Sequence, residues 1–233
     1  MEKPLFWHQG LFLQPQHFQL FDRYVQALSG NGARYMQPHF WGVGNMRVQD
    51  AALGNLSLEI QQGEFIFQDG TVATYPGNSL LDSRSFSEGS FEGGKPLECY
   101  LGIRKWTSSG ENVTVLPQLE NVSEVSTRYA TSTESESVMD LYQGGPEAQV
   151  RSMFYVLKLF WGTEVDQLGD YELLPIALLT RSGEEIIRSV RFFPPCVTVG
   201  AEPALQKMIV EIRDQVTARA HQLEAYKRSR GVH

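Results

Sequence analysis

The chain has 233 residues, with 20 Lys and Arg against 27 Asp and Glu, a formal charge of -7, a sequence pI near 5.3, 42% hydrophobic residues and a mean hydropathy of -0.27. A chain this long buries roughly 70–75% of its unfolded surface, and the composition is that of a folded globular protein rather than a disordered, fibrous or membrane-spanning one. The negative balance argues against a nucleic-acid partner, because phosphate binding rests on clustered positive charge.

No apolar run approaches the roughly 20 residues a bilayer helix needs. The opening Met1-Glu2-Lys3-Pro4-Leu5-Phe6-Trp7-His8 lacks the basic end and apolar centre of a signal peptide. These features predict a cytoplasmic protein without direct membrane insertion. Cys99 and Cys196 are the only thiols, too few for a disulfide framework or a four-ligand zinc site, and their default role is packing. Sequons at Asn55, Asn112 and Asn121 carry no weight without a secretory signal.

In chain order, the first element is an amphipathic helix from Pro15 to Ser29. Phe18, Phe21, Val25 and Leu28 share one face, Pro15 suits the first turn, and Gly30 suits the position past the end. Gln16, Gln19, Asp22, Arg23 and Gln26 read as its solvated face. From Trp41 to Val197 the texture is short Val-, Ile-, Phe- and Tyr-rich segments between Gly, Pro, Asn and Asp clusters, the signature of an all-β region. Glu64–Gln68 and Thr71–Tyr75 flank Asp69-Gly70 and predict a hairpin with a two-residue turn, ended by Pro76-Gly77-Asn78. Further strands are expected at Leu56–Ile60, Cys99–Trp106, Val113–Leu116 and Tyr171–Thr180, the last forming a hairpin with Glu184–Phe193 through Arg181-Ser182-Gly183.

Val150–Trp161 is long enough for a helix, but Phe154, Tyr155, Val156, Phe160 and Trp161 favour a strand covered on both faces. Leu81–Gly94 and Thr131–Ser137 read as loops. After Pro203 the chain runs to Gly231 without Gly or Pro, which predicts a long helix. Its heptad places Ile209, Val216 and Leu223 at a, and Leu205, Ile212, Arg219 and Tyr226 at d. Isoleucine at both a and d leans toward three strands. The alternative is a helix packed back on the β region.

Sequence signals for catalysis are weak. There is no G-x-S-x-G, P-loop, G-x-G-x-x-G after a strand, or H-E-x-x-H. His8, His17, His39, His221 and His233 lack partners at ligand spacing, and a capping or packing role suits His17 better than metal binding. Asp69 belongs to its turn, while Glu134/Glu136 and Glu184/Glu185 suit a solvated surface. The early aromatics Phe6, Trp7, Phe12, Phe18, Phe40 and Trp41 fit either a carbohydrate-stacking platform or core packing.

The string Trp7-His8-Gln9-Gly10-Leu11-Phe12-Leu13-Gln14-Pro15-Gln16-His17-Phe18-Gln19, continuing to Asp22-Arg23-Tyr24, resembles the opening signature of the TssK family (ImpJ or VasE) of type VI secretion baseplate proteins. Three later stretches agree in content and order: Trp41-Gly42-Val43 with Leu53-Gly54-Asn55-Leu56; Phe65-Ile66-Phe67-Gln68-Asp69-Gly70-Thr71 with Pro76; and Leu174-Pro175-Ile176-Ala177 with Phe193-Pro194-Pro195-Cys196-Val197. Gln9 stands where the family often has Glu.

The resemblance implies a mainly β fold: an antiparallel β-sandwich similar to the shoulder domain of phage receptor-binding proteins, with an N-terminal amphipathic helix and a C-terminal neck helix. Residues 1–200 would form the shoulder and 201–233 the start of the neck. Family chains are longer, so this chain is expected to hold the N-terminal part. It further implies a non-enzymatic homotrimeric adaptor without cofactor or metal. Its N-terminal domain would dock on the baseplate wedge proteins TssF and TssG, and a C-terminal domain absent here would reach TssL and TssM at the inner membrane of a Gram-negative cell. The expected trimer seam is Leu205, Ile209, Ile212, Val216, Leu223 and Tyr226, with Arg219 as a polar layer or a fraying point. The candidate partner strip is Trp7, Leu11, Phe12, Leu13 and Phe18, because an aromatic-rich strip can bury a partner's loop; the same residues would also serve to seal the sandwich or pack protomers together. A phage-tail-like or lectin-like carbohydrate-binding module and an unrecognised hydrolase are the competing classes.

Overall fold

Pro15 opens the first helix, α1 (Pro15–Met36), in a computed structural model that describes all residues except 1, 2, 7, 38, 141, 143 and 231–233; the side chains of 29–36 and 228–230 also fall outside the description. The helix start is closed locally. The ring of His17 turns back so that Nδ1 accepts the Gln14 N–H at 3.2 Å, and the His17 N–H donates to the Gln14 carbonyl at 3.0 Å, an arrangement akin to a capping box. His17 is therefore a capping residue. The helix does not end at Gly30 as the sequence suggests. Gly30 and Gly32 lie inside it, at about 1 kcal/mol each relative to alanine, a cost a helix of this length tolerates.

Among the described residues fourteen strands follow: β1 (Gly42–Val48), β2 (Ser57–Leu58), β3 (Ile60–Ile66), β4 (Val72–Tyr75), β5 (Ser79–Leu81), β6 (Arg84–Ser85), β7 (Leu97–Arg104), β8 (Val113–Leu116), β9 (Tyr129–Ser132), β10 (Glu136–Val138), β11 (Ala148–Val150), β12 (Met153–Trp161), β13 (Tyr171–Ser182) and β14 (Glu185–Arg188). A short helix, α2 (Asp50–Leu53), interrupts them, and α3 (Pro203–Arg230) ends the chain. A three-stranded sheet β1-β3-β4 packs on a seven-stranded sheet ordered β14-β13-β7-β12-β9-β8, with β5 joined to β12. The sandwich core lies between them. Val43, Phe65 and Ala73 of the small sheet meet Leu101, Ile103, Leu157, Leu174 and Leu179 of the large one.

Period-two patterning produces the sheets. In β7, Leu97, Cys99, Leu101 and Ile103 all point inward and are buried. Strand β12 is covered on both faces, as its apolar run suggests. Leu157, Leu159 and Trp161 enter the main core, while Val156 enters a second small core with Val122, Val125 and Ala130. The sheet is antiparallel apart from two parallel pairings, β5 with β12 and β8 with β9. Pro175, which has no N–H to give a ladder, sits at a bulge where β13 slips against β7 between Pro175 and Ala177.

Several local expectations change. The hairpin at Asp69-Gly70 has a three-residue loop: the Phe67 N–H donates to the Thr71 carbonyl, and of the loop residues only Gly70 has a positive φ, +86°. Asp69 instead accepts the Thr71 N–H at 2.9 Å, which secures the turn with its side chain. In the second hairpin Ser182 pairs with Glu185, so Gly183-Glu184 forms the turn and the return strand ends at Arg188. Leu56, at φ +55°, lies in a turn, and the rest of the expected Leu56–Ile60 strand is interrupted at Glu59 into β2 and the start of β3. The stretch expected as loop at Leu81–Gly94 holds β6 and a 3-10 segment, Glu88–Gly94. Likewise, Thr131–Ser137 is not a plain loop: β10 pairs with β11 in a two-stranded ribbon whose six residues are all exposed.

Two of the family-like stretches meet at the start of the sandwich. The Val43 N–H donates to the Pro195 carbonyl at 2.7 Å, the Val197 N–H donates to the Val43 carbonyl at 3.0 Å, and Val43 and Cys196 form a parallel bridge. Gly42 permits this approach. At φ +136°, a Cβ there would stand 2.3 Å from the Pro195 oxygen. Gly42→Ala is therefore expected to lower the unfolding free energy by about 2–4 kcal/mol, combining backbone strain with displacement of a neighbouring main chain. Urea melts read this directly. An unchanged midpoint would mean that the Pro195 strand moves aside at little cost.

Candidate interaction surfaces

α3 departs from the β region through the 3-10 turn Val199–Ala201 and extends about 42 Å. Leu205, at its root, is half-buried. Ile209, Ile212, Val216, Leu223 and Tyr226 are all exposed, rising to 72% at Leu223, so the helix does not fold back on the sandwich. The seam residues thus lie along one stripe that its own chain leaves in solvent, and an apolar stripe of six or seven turns is costly to expose.

The N-terminal strip is also outward. Phe12 is 80% exposed and Phe18 56%, Leu13 is exposed, and Leu11 is half-buried. Trp7 lies outside the described residues. Phe6 and Phe40 are exposed too, so these four aromatics do not seal the sandwich in the single chain; among the described residues of that group, Trp41 alone packs against the core. On α1 the polar residues Gln16, Gln19, Asp22 and Gln26 are exposed as expected, but the apolar face is not buried by the single chain. Phe18, Phe21, Val25 and Leu28 are exposed, whereas Arg23, placed on the solvated face from sequence, is half-buried with its guanidinium 4.5 Å from the Trp106 ring centroid. The physical reason is that an indole face accepts a cation as readily as an apolar side chain, and amphipathicity says that a face wants cover without saying which chain supplies it.

The ribbon β10–β11 adds exposed Val138 and Val150, with Met139 and Tyr142 in its connection and Met153 just beyond. The sequence hides this surface because Ser and Glu alternate with the few apolar residues.

Inside the fold, the polar groups are committed to structure. Arg128, 3% exposed, donates to Asp69 Oδ2 at 2.9 Å, to the Arg104 carbonyl at 2.6 Å and to Thr71 Oγ1, and so binds the β3–β4 turn to the large sheet. Burial alone would raise the Asp69 carboxyl, but the Arg128 guanidinium and the hydrogen bonds from Thr71 hold it below the usual carboxylate value. Arg84 holds Glu164 with two 2.6 Å hydrogen bonds and caps the Leu159 carbonyl at 2.8 Å. Glu164, which also accepts the Trp161 N–H at 2.8 Å, is lowered chiefly by the Arg84 hydrogen bonds. A cleft of about 230 Å³ is lined by Asp82, Arg84, Ser123, Lys158 and Phe160. Its charges are occupied: Lys158 Nζ donates to the Ser123 carbonyl at 2.6 Å and Asp82 accepts the Ser123 N–H at 2.7 Å. Burial lowers the Lys158 ammonium, and the carboxylate lining the cleft, Asp82, is engaged by the main chain rather than by a neighbouring hydroxyl. Among the described residues no group of His, Cys, Asp or Glu is arranged to hold a metal, and no helix is long and apolar enough to cross a membrane.

Residues 17–233 match the family described as bacterial type VI secretion, VC_A0110, EvfL, ImpJ and VasE. The chain is 28% identical over 213 residues to the type VI secretion system baseplate component TssK1 of Pseudomonas aeruginosa (strain PAO1), covering 88% of this chain and 45% of that protein. It therefore spans less than half the length of this curated relative. The fold is shared with a chain of a TssK–TssF–TssG baseplate subcomplex solved by cryo-electron microscopy, at 24% identity and TM-score 0.78, over 96% of this chain and 71% of that one. A crystal structure of TssK shares it at 18% identity and TM-score 0.80, over 96% of this chain and 49% of that one. A type VI secretion baseplate complex does so at 23% identity and TM-score 0.79, over 99% and 50%.

Proposed function

Because this chain belongs to the TssK (ImpJ/VasE) family of type VI secretion proteins, we propose that it is the baseplate-docking part of a homotrimeric structural adaptor rather than an enzyme. Residues 1–200 form the docking domain and residues 201–233 begin the trimer neck. The observation that carries the reading is the seam of α3, which is apolar in heptad register apart from Arg219 and exposed from Ile209 to Tyr226. Three copies winding about one another cover it, and three docking domains are then held side by side. In the longer family chain, a C-terminal domain continues this neck toward the TssL/TssM membrane complex.

The docking domain meets the wedge proteins TssF and TssG through the strip around Leu11, Phe12, Leu13 and Phe18, with Trp7 at its start. Exposed aromatic and aliphatic side chains at a chain end make good anchors for a partner. The assembly is tested by co-purifying the chain with TssF and TssG of the same system and measuring its mass by light scattering. Three copies per site are expected. Free chain beside folded wedge proteins would count against docking through this domain, and a glycan screen would then probe the carbohydrate-binding alternative.

A paired substitution separates docking from folding. Phe12→Glu with Leu13→Glu is expected to leave the melting temperature unchanged, since both side chains are exposed, while weakening wedge capture by at least tenfold. Undiminished capture would move the contact elsewhere.

A further inference from the structure

From Leu205 to Tyr226 the seam of α3 is apolar at every a and d position except Arg219. Its surroundings lack a counter-charge. Positions three and four residues away are Gln215, Val216, Gln222 and Leu223, none of them acidic. Arg213, by contrast, has its own carboxylate, with a nitrogen 2.8 Å from Asp214 Oδ1. Arg219 makes no such pair among the described residues.

In a parallel trimer a d side chain enters the space bounded by a neighbour's preceding a, d, e and following a residues. Here these are Val216, Arg219, Ala220 and Leu223, so no copy supplies a carboxylate either. Symmetry instead brings three guanidiniums together, between an apolar Val216 layer and an apolar Leu223 layer. Arginine cannot shed its charge in a protein, and a buried charge without a partner is strongly disfavoured. The counter-charge has to come from solution.

We propose that the three Arg219 side chains form an axial site for a small inorganic anion, chloride or a compact oxyanion such as nitrate or sulfate; this inference rests on the trimer set out above. Each guanidinium offers planar forks of N–H donors that suit such a ligand, and a three-fold axis lets all three share it. Ala220 at the neighbouring e position leaves room for the side chains, and the amides of Gln215 and Gln222 at g flank the layer. The site exists only in the assembly. Its occupation would stabilise the neck without any change in the docking domain.

The test compares the 233-residue chain with its Arg219→Leu variant, in which an apolar residue and good helix former fills the seam. Mass by sedimentation is measured first, and the thermal midpoint of the helical circular dichroism signal is then followed in chloride, nitrate and sulfate series at constant ionic strength made up with fluoride. The wild-type midpoint is expected to rise saturably by about 5 °C, with broadening of the 35Cl resonance that nitrate reverses. The variant should melt higher than wild type in fluoride, respond weakly, and leave the 35Cl line sharp. A trimer whose midpoint and 35Cl line follow the variant's would overturn the site alone, because its guanidiniums then reach outward past Ala220 to water. A wild-type monomer would overturn the site and the trimer together.

Discussion

A chain carrying Ile212→Asp is expected to lose its trimeric mass and run as a monomer with an unaltered β-sandwich. Ile212 occupies a d position in the middle of the exposed seam, between Ile209 and Val216. In a trimer each chain would carry a carboxylate into a space lined by apolar neighbours. Desolvating one such charge without a partner costs about 3 kcal/mol or more, so three copies lose about 9 kcal/mol, equivalent to roughly six powers of ten in the association constant. The docking domain should be indifferent, because the side chain is 52% exposed in the single chain and the helix touches the β region only near its root. Light scattering at fixed concentration reads the mass, and near-ultraviolet circular dichroism reads the sandwich. Retention of the trimeric mass would mean that the helix associates through another stripe or that α3 is not the site of assembly.

The second large effect centres on Arg128, and its two partners are expected to behave unequally. Asp69 is 31% exposed, whereas Arg128 is 3% exposed. Asp69→Asn strands a buried guanidinium and is expected to cost about 3 kcal/mol; Arg128→Met leaves a carboxylate that water can still reach and fills the space with an apolar chain, so about 1–2 kcal/mol is expected. Chemical denaturation of the two variants gives the order. Equal losses would show that Asp69 is as dependent on the protein as Arg128 is. The same pair dictates the acid response. Asp69 is held below the ordinary aspartate value of 3.8 and Glu164 below the ordinary glutamate value of 4.5. Both contribute stability that is present above these unfolded values and is lost as pH falls through the lower folded ones. Stability attributable to these groups should be flat above about pH 5 and fall below it as the two carboxylates are protonated; Asp69→Asn should remove its share of the decline. A decline of the same shape in that variant would assign it to other carboxylates.

Much of the sandwich was legible in the chain. β8 has its expected bounds, β12 is the strand its aromatic and branched residues favour, and the turn at Asp69-Gly70 is marked by the dipeptide itself. Those features depend on neighbours in sequence. What escaped depends on neighbours in space. Nothing in Thr127-Arg128-Tyr129 announces a buried arginine, because its partners lie on a turn 59 residues earlier and on the Arg104 carbonyl. The parallel entry of β5 along β12 leaves no local pattern either. For the candidate surfaces, periodicity marks an apolar stripe on α1 and on α3 but not its surroundings: the same stripe pattern fits a face buried by its own sandwich and a face offered to another chain. The ribbon β10–β11 was missed because six exposed residues have no core face, and hence no alternation, to betray a strand.

The joining of Trp41-Gly42-Val43 to Pro195-Cys196-Val197 bears on how this molecule would carry tension. The polypeptide leaves α1 and enters the sandwich beside the place where it later leaves the sandwich toward α3, and the two crossing segments run in the same direction. A pull between the two helices therefore meets the Val43–Pro195 and Val197–Val43 hydrogen bonds before it reaches the strands between them. Parallel segments drawn lengthwise are loaded in shear, so these bonds resist together instead of opening one after another. The intervening sheets form a side branch shielded by this clamp, and force passes from one helix to the other across a few ångströms of backbone.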